Sequence, residues 1–305
     1  MFPCQGFGET GANLRAMQRR LALALPLLLA ALAASAPAPA APSSSVAALQ
    51  VALHARGLYH GAIDGIRGPL TTRAVRALQR RAQIAVDGVP GPQTRRALGR
   101  FARHRVGSRP LRVGTAGWDV AALQFELAAH GFPSWKFDGI FGRHVERALS
   151  RFQRWAHLHV DGIAGPATFA ALRAPPPAIP LALAWPLTAP TVGDLFGPRG
   201  ERFHSGIDLR AASGTPVYAA RGGKVVYADW ADGGWGFLVV IDHGLHERTF
   251  YAHLSRIDVR RGVWVATGVR VGAVGATGDA NGPHLHFEVR VHGAAVDPLR
   301  VLPRG

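Results

Sequence analysis

Gly282-Pro283-His284-Leu285-His286-Phe287-Glu288-Val289-Arg290-Val291 holds a β-rich run, His284 to Val291, that follows the Asn281-Gly282 pair. On a strand, residues two apart point to the same face, so His284 and His286 converge on one spot, and Glu288 shares their face. Working outward, Val217-Tyr218, Lys224-Val225-Val226-Tyr227, Phe237-Leu238-Val239-Val240-Ile241 and Val263-Trp264-Val265 have the same β character. Gly, Asp and Asn separate these runs, as in Asp232-Gly233-Gly234 and Asn281-Gly282. Residues 185–305 therefore read as a compact, mainly antiparallel β domain.

Upstream of this domain the pattern changes to an internal repeat. Residues 46–98 align without a gap onto residues 120–172. Val46-Ala47-Ala48-Leu49-Gln50 recurs as Val120-Ala121-Ala122-Leu123-Gln124, Asp64-Gly65-Ile66 as Asp138-Gly139-Ile140, and Val86-Asp87-Gly88 as Val160-Asp161-Gly162. Such regularity marks a duplicated module. In the first copy Val46, Leu49, Leu53 and then Ala74, Val75, Leu78 recur at helical spacing. Gly91-Pro92-x-Thr94 and Gly165-Pro166-x-Thr168 place Pro in a first helical turn, where its missing N–H costs least. Each copy reads as three short helices, one module over 44–103 and another over 109–173, followed by a Pro-rich linker over 174–184. The expected fold class is α+β multidomain: two small three-helix bundle modules, then the antiparallel sheet.

Charge and termini bound the function. The formal net charge of +16 favours polyanionic partners such as nucleic acid, acidic membrane or an anionic cell wall, and does not choose among them. Arg19-Arg20, the apolar run from Leu21 to about Ala34, and Ala34-Ser35-Ala36 form a positive region, an apolar core and a small-residue cleavage site. Residues 1–36 are therefore expected to be a signal-peptide region, with Met17 as an alternative start. The run is short against the ~20 apolar residues of a membrane span, and an uncleaved anchor is the competing reading. Cys4 is the single cysteine and precedes this segment, so the mature chain would have neither a disulfide nor a thiol nucleophile.

Chemistry must then come from other groups, and three segments of the β domain hold them: His204-Ser205-Gly206-Ile207-Asp208, Tyr251-Ala252-His253-Leu254 and His284-Leu285-His286. Neutral histidine is the commonest zinc ligand, and a carboxylate can complete a site. Only one of His284 and His286 need reach a metal, leaving the other for the reacting water. No His-Glu-x-x-His is present, so the base would have to be a histidine. A lone His-x-x-x-Asp is often accidental, but the three motifs together are not easily so. His243 and His246 read as a strand-end packing residue and a loop residue, Glu288 as a support for the site, and Tyr251 as packing.

These motifs, in this order, resemble the lysostaphin-type (LytM-type) zinc endopeptidases. Phe196-Gly197-x-Arg199, Gly214-Thr215-Pro216-Val217 and Gly282-Pro283-His284-Leu285-His286-Phe287-Glu288 belong to the same likeness. The resemblance implies one zinc ion held by His204, Asp208 and His286, with His253 and His284 acting on the water and the tetrahedral intermediate. The two helical copies resemble the peptidoglycan-binding domain, through D-G-x-x-G, the helix with Ala-x-x-x-Phe/Leu-Gln-Arg, and V-D-G-x-x-G-P-x-T. Copy one has Arg67 where copy two has Phe141, and copy two has Arg143-His144 where Pro is usual. Arg73, Arg76, Arg80 and Arg81 fall largely on one helical face, a solvated surface or a contact for anionic wall polymers.

The resemblance thus implies a secreted zinc endopeptidase, in the cell wall or periplasm, that hydrolyses stem peptides or cross-bridges of peptidoglycan. A catalytically silent wall-binding scaffold, or an activator of another hydrolase, is the alternative. A nucleic-acid binder is opposed by the expected signal peptide and by the absence of interleaved aromatic and basic recognition motifs.

Overall fold

The computed structural model describes residues 41–175 and 181–304. The expected signal-peptide region at 1–36, including Met17, and the middle of the expected linker lie outside these residues. Six α-helices come first: α1 (Ser44–His54), α2 (Pro69–Arg81), α3 (Pro92–Ala97), α4 (Trp118–Ala129), α5 (Arg143–Trp155) and α6 (Pro166–Ala171). Among the described residues, no helix is long and apolar enough to cross a membrane.

The expected trio of helices forms in each copy, held by a device that recurs four times. A buried glutamine clamps each Asp-Gly turn. Gln79 Nε2 lies within hydrogen-bonding distance of Asp87 Oδ1 (2.6 Å), the Val89 carbonyl (3.0 Å) and Thr94 Oγ1 (3.1 Å), which share its two N–H groups, while its Oε1 accepts from Gly88 N (2.8 Å). Gln50 does the same at Asp64-Gly65, Gln124 at Asp138-Gly139 and Gln153 at Asp161-Gly162. Buried amides are costly unless paired, so each clamp fixes its turn and hence the start of the next helix.

The two copies also pack against each other. Helices α1 and α4, which are equivalent in the repeat, pack on each other through Ala47, Ala48, Ala52, Ala121, Ala122 and Phe125 in one shared core. Seven consecutive residues of α1, Ala47 to Leu53, are buried. A helix apolar on all sides needs partners on all sides.

The β domain contains β1 (Thr191–Val192), β2 (Gly197–Arg199), β3 (Arg202–His204), β4 (Ile207–Arg210), β5 (Pro216–Tyr218), β6 (Gly223–Ala231), β7 (Gly236–Asp242), β8 (Glu247–Ile257), β9 (Trp264–Val265), β10 (Arg270–Val274), β11 (His284–Val291) and β12 (Ala294–Val296). The main sheet runs β1-β4-β11-β8-β7-β6-β9, with β12 beside β11 and β10 joining β5 to β8; every pairing is antiparallel. One face carries the core, built on Ile207, Leu209, Val239, Ile241, Tyr251, Leu254, Leu285, Phe287 and Val289. Leu181 and Leu183 lie in the stretch expected as linker, yet both are buried in this core, and Leu183 N donates to the Val301 carbonyl at 2.9 Å.

The β2–β3 hairpin docks the helices. Ile63 N donates to the Gly200 carbonyl and Phe137 N to the Glu201 carbonyl, at 2.9 and 2.8 Å, and Phe203 packs against the shared helical core. On the far side Ala295 N donates to the Gly131 carbonyl at 2.9 Å, and Ala294 enters the core of the second copy.

Candidate metal centre and groove

The other face of β11 carries His284, His286 and Glu288, because Leu285, Phe287 and Val289 point into the core. Register then brings in the neighbours: His286 lies directly across from Asp208 on β4 and from Ala252 on β8. His204 ends β3 just before the turn into β4. Gly206 sits in that turn, where any Cβ would run into the Phe287 carbonyl, so the His-x-Gly-x-Asp segment can lie flat against β11 only with glycine there.

His253 arrives by a less regular route. Phe237 pairs with Leu254 and Val239 with Tyr251, so one residue of β7 faces two of β8, Ala252 and His253. This is a β-bulge. Tyr251 and Leu254, three apart, both enter the core, and the intervening pair is freed to face the other way. His253 adopts a left-handed backbone (φ +59°), costly for a non-glycine residue. Its amide donates to the Trp235 carbonyl at 3.0 Å.

The result is a buried cluster. His204 Nε2 is 3.1 Å from Asp208 Oδ1 and 3.0 Å from His286 Nδ1, which is 2.9 Å from Asp208 Oδ1. His204 Nδ1 must carry a proton, since it lies 2.8 Å from the Leu195 carbonyl, which can only accept. His286 Nε2 faces the Glu288 carboxylate at 3.2 Å in the same way. Nε2 of His204, Nδ1 of His286 and Oδ1 of Asp208 are thus three lone pairs pointing at one place, and these residues could hold a metal ion.

The electrostatics agree with that arrangement. With protons alone to bridge the cluster, one imidazole must become cationic. Burial lowers the His286 pKa, but hydrogen bonds and charges from Asp208 and Glu288 outweigh it and raise the value to about 9. Burial raises the carboxyl of Asp208, yet His204 and His286 hold it well below the ordinary range. Glu288 is fully buried; burial raises its pKa, but Arg290, His286 and Ser205 together bring it down to about 2. The site therefore concentrates negative charge toward a cation.

The two remaining histidines stand beside the cluster. Their ring centroids are 4.8 Å apart, and that of His253 is 5.7 Å from His286. Thr277 O lies 2.8 Å from His253 Nδ1, and Gly282 O lies 2.8 Å from His284 Nδ1, so in each ring the Nδ1 carries a proton and the Nε2 is turned away from these carbonyls. Burial, with a smaller contribution from His286 and His284, lowers the His253 pKa to about 4. It is neutral at neutral pH and able to accept a proton. All five residues expected from the motifs come together.

Two supporting residues were not assigned a role from sequence. Arg199 Nη1 reaches the second oxygen of Asp208 (3.2 Å) and Asp194 (2.8 Å), fixing the carboxylate with Oδ1 inward. It stood in the quoted Phe196-Gly197-x-Arg199 text, so a signal was present. Trp235, which walls the cluster 5.7 Å from His286 by ring centroids, carried none. His243 bonds Gly222 O and Thr249 Oγ1, and His246 sits in a turn; neither joins the site. Tyr251 is a core residue, its hydroxyl accepting from Ala220 N at 2.8 Å.

A converging His-Asp-His cluster that could hold a metal ion, flanked by two further imidazoles and open to a groove, is a candidate hydrolytic site. Residues 202–298 match the model of Peptidase family M23, and residues 42–98 and 117–172 match that of the putative peptidoglycan binding domain. The chain thus carries an M23 peptidase domain preceded by two peptidoglycan-binding domains. It is 43% identical over 100 residues to the DD-carboxypeptidase/endopeptidase Mpg of Neisseria meningitidis serogroup B, covering 33% of this chain and 23% of that protein. It is 38% identical over 120 residues to the murein hydrolase activator NlpD of Escherichia coli K12, covering 39% and 31%. The catalytic domain of the antimicrobial peptidase lysostaphin from Staphylococcus simulans matches at 33% identity, over 36% of this chain and 90% of that one, with a TM-score of 0.35. The chain spans less than half the length of the curated relatives it matches first.

Proposed function

We propose that this protein is a secreted, zinc-dependent endopeptidase that hydrolyses peptide bonds in peptidoglycan stem peptides or cross-bridges, held on the wall by its helical modules. The observation that carries the reading is the convergence of three lone pairs, each aimed by a hydrogen bond on its opposite side. Two imidazoles and one carboxylate are a zinc donor set that leaves room for water and substrate. Zinc would supply Lewis-acid polarisation of the scissile carbonyl and a water acidic enough to react near neutral pH. His253, neutral and held by Thr277 O, takes the proton of the attacking water. His284, held by Gly282 O beside His253, is placed to orient that water through its Nε2. Peptidoglycan as substrate and partner follows from the two binding domains joined to a peptidase domain, which, with the expected signal peptide, supports a location outside the cytoplasm.

The likeness to a murein hydrolase activator favours a second reading, a wall-bound scaffold without catalysis. Point variants separate the two. His286→Ala is expected to lose stoichiometric zinc, whereas His253→Ala and His284→Ala keep it and lose wall cleavage by 10²-fold or more. Metal analysis beside a turbidity assay on purified walls reads both quantities. Undiminished cleavage by either of the latter variants would overturn the proposed roles.

A further inference from the structure

The groove in front of the histidines has a second wall that the sheet does not supply. A cavity of about 870 Å³ is bounded on one side by His204, His253 and His286, and on the other by α5 and the Pro133–Trp135 segment of the second helical module. Val145, Ala148, Leu149 and Phe152 of α5 are buried, which leaves Arg147, Arg151 and Arg154 on its outer face, all three lining the cavity. Arg143 is paired with Glu146, but Arg147, Arg151 and Arg154 make no ion pair among the described residues. Arg151 faces Arg290 and Glu288 across the groove; burial, then Arg290, lowers its pKa, and only Glu288 opposes this. Glu288 is already committed to Ser205, His286 and Arg290. This wall therefore carries cationic charge that the protein itself leaves uncompensated.

Two more features of the same wall point to a ligand. Trp135 is half exposed, with a left-handed backbone (φ +82°), its ring held between Arg202 and His144 at 5.3 and 5.0 Å. The Oγ of Ser134 is buried and bonds no protein group.

We propose that the second helical module forms part of the substrate site, with Arg147 and Arg151 binding a free carboxylate of an acidic peptide lying across the His204-Asp208-His286 cluster. The inference rests on the endopeptidase reading above and names its substrate class. A guanidinium fork matches a carboxylate with two parallel hydrogen bonds and has no equivalent match to a neutral amide. Trp135 offers a flat apolar surface beside it, and the His204-Asp208-His286 cluster then meets the peptide backbone at a fixed distance from the acidic group.

The test uses the full chain, zinc-loaded, with cross-linked stem-peptide dimers bearing free carboxyls and the same dimers with those carboxyls amidated. The wild type is expected to favour the free acid by roughly ten- to hundred-fold in kcat/KM, mostly through KM, as loss of charged hydrogen bonds implies. In Arg147→Gln/Arg151→Gln that ratio falls toward one, and Arg147→Lys/Arg151→Lys restores part of it. Zinc content and circular dichroism check that the variants fold. An equal rate on both dimers in the wild type, or an unchanged ratio in the glutamine variant, overturns the proposal. Faster cleavage of both dimers by that variant also overturns it and makes the module a lid. Should no form cleave either dimer, the endopeptidase reading fails by itself. Equilibrium binding of the same dimers then decides, with tighter binding of the free acid, lost in the glutamine variant, upholding the carboxylate site.

Discussion

At the residue scale the centre is built from side chains whose second hydrogen bond matters as much as the first. Each of the four histidines gives one ring N–H to a carbonyl or carboxylate outside the cluster: Leu195 O, Thr277 O, Gly282 O and Glu288. Those partners set which nitrogen is free. Glu288→Gln keeps the shape but removes the charge that receives His286 Nε2–H and pairs with Arg290. Metal affinity is expected to fall about 10- to 100-fold, read by chelator competition, and an unchanged affinity would show that Glu288 only fills space. Much of this was legible in the sequence, since His-x-His on a strand, His-x-x-x-Asp and the isolated histidine are local patterns. The tautomers were not, because Leu195, Thr277 and Gly282 act through backbone carbonyls that any residue would provide.

At the element scale, strand β8 shows where pattern reading stops. The runs around Val225, Val239, Trp264 and Leu285 read as strands from composition, whereas β8, the strand carrying His253, did not. Its bulge puts Tyr251 and Leu254 on one face, three residues apart, which breaks the period of two that marks a strand. The left-handed backbone of His253 has no compositional signal either. The glutamine clamps are the helical counterpart: their residues recur in the repeat, but the long-range bonds between helix and turn come only with the fold. Gln79→Leu would leave the Gly88 N–H of a closed turn without its partner and take a donor from Asp87. A loss of about 2–3 kcal/mol is expected, measurable as a lowered denaturant midpoint. Asp87 and Asp161 are lowered in pKa first by the backbone N–H groups of Val89 and Ile163, then by the glutamines. A depressed carboxyl contributes stability above its unfolded value and loses it as pH falls through the folded one. Melting temperature is therefore expected to drop below about pH 4, less so in the Gln79→Leu variant; a flat profile would contradict the clamp.

At the scale of the described residues from 41 onward, the helical modules and the sheet form one packed body. The repeat was visible in the sequence, but the shared α1–α4 core and the docking of both copies on the β2–β3 hairpin depend on contacts distant in sequence. Gly131 marks the second docking point. It has φ +84°, and a Cβ there would collide with the Ala295 carbonyl and amide. Gly131→Val is expected to loosen the second module from the sheet, seen as faster limited proteolysis near that junction, and to lower wall cleavage several-fold. Proteolysis no faster than in the wild type would mean that this contact does not hold the wall of the groove in place.

A zinc held between His204, Asp208 and His286 would make this protein a peptidoglycan hydrolase. Mass spectrometry of the fragments released from purified peptidoglycan of known cross-link type tests it most directly. New termini are expected at one class of peptide bond, absent after chelation and restored by zinc. Intact wall peptides in the presence of stoichiometrically zinc-loaded protein would contradict it and leave the wall-bound scaffold.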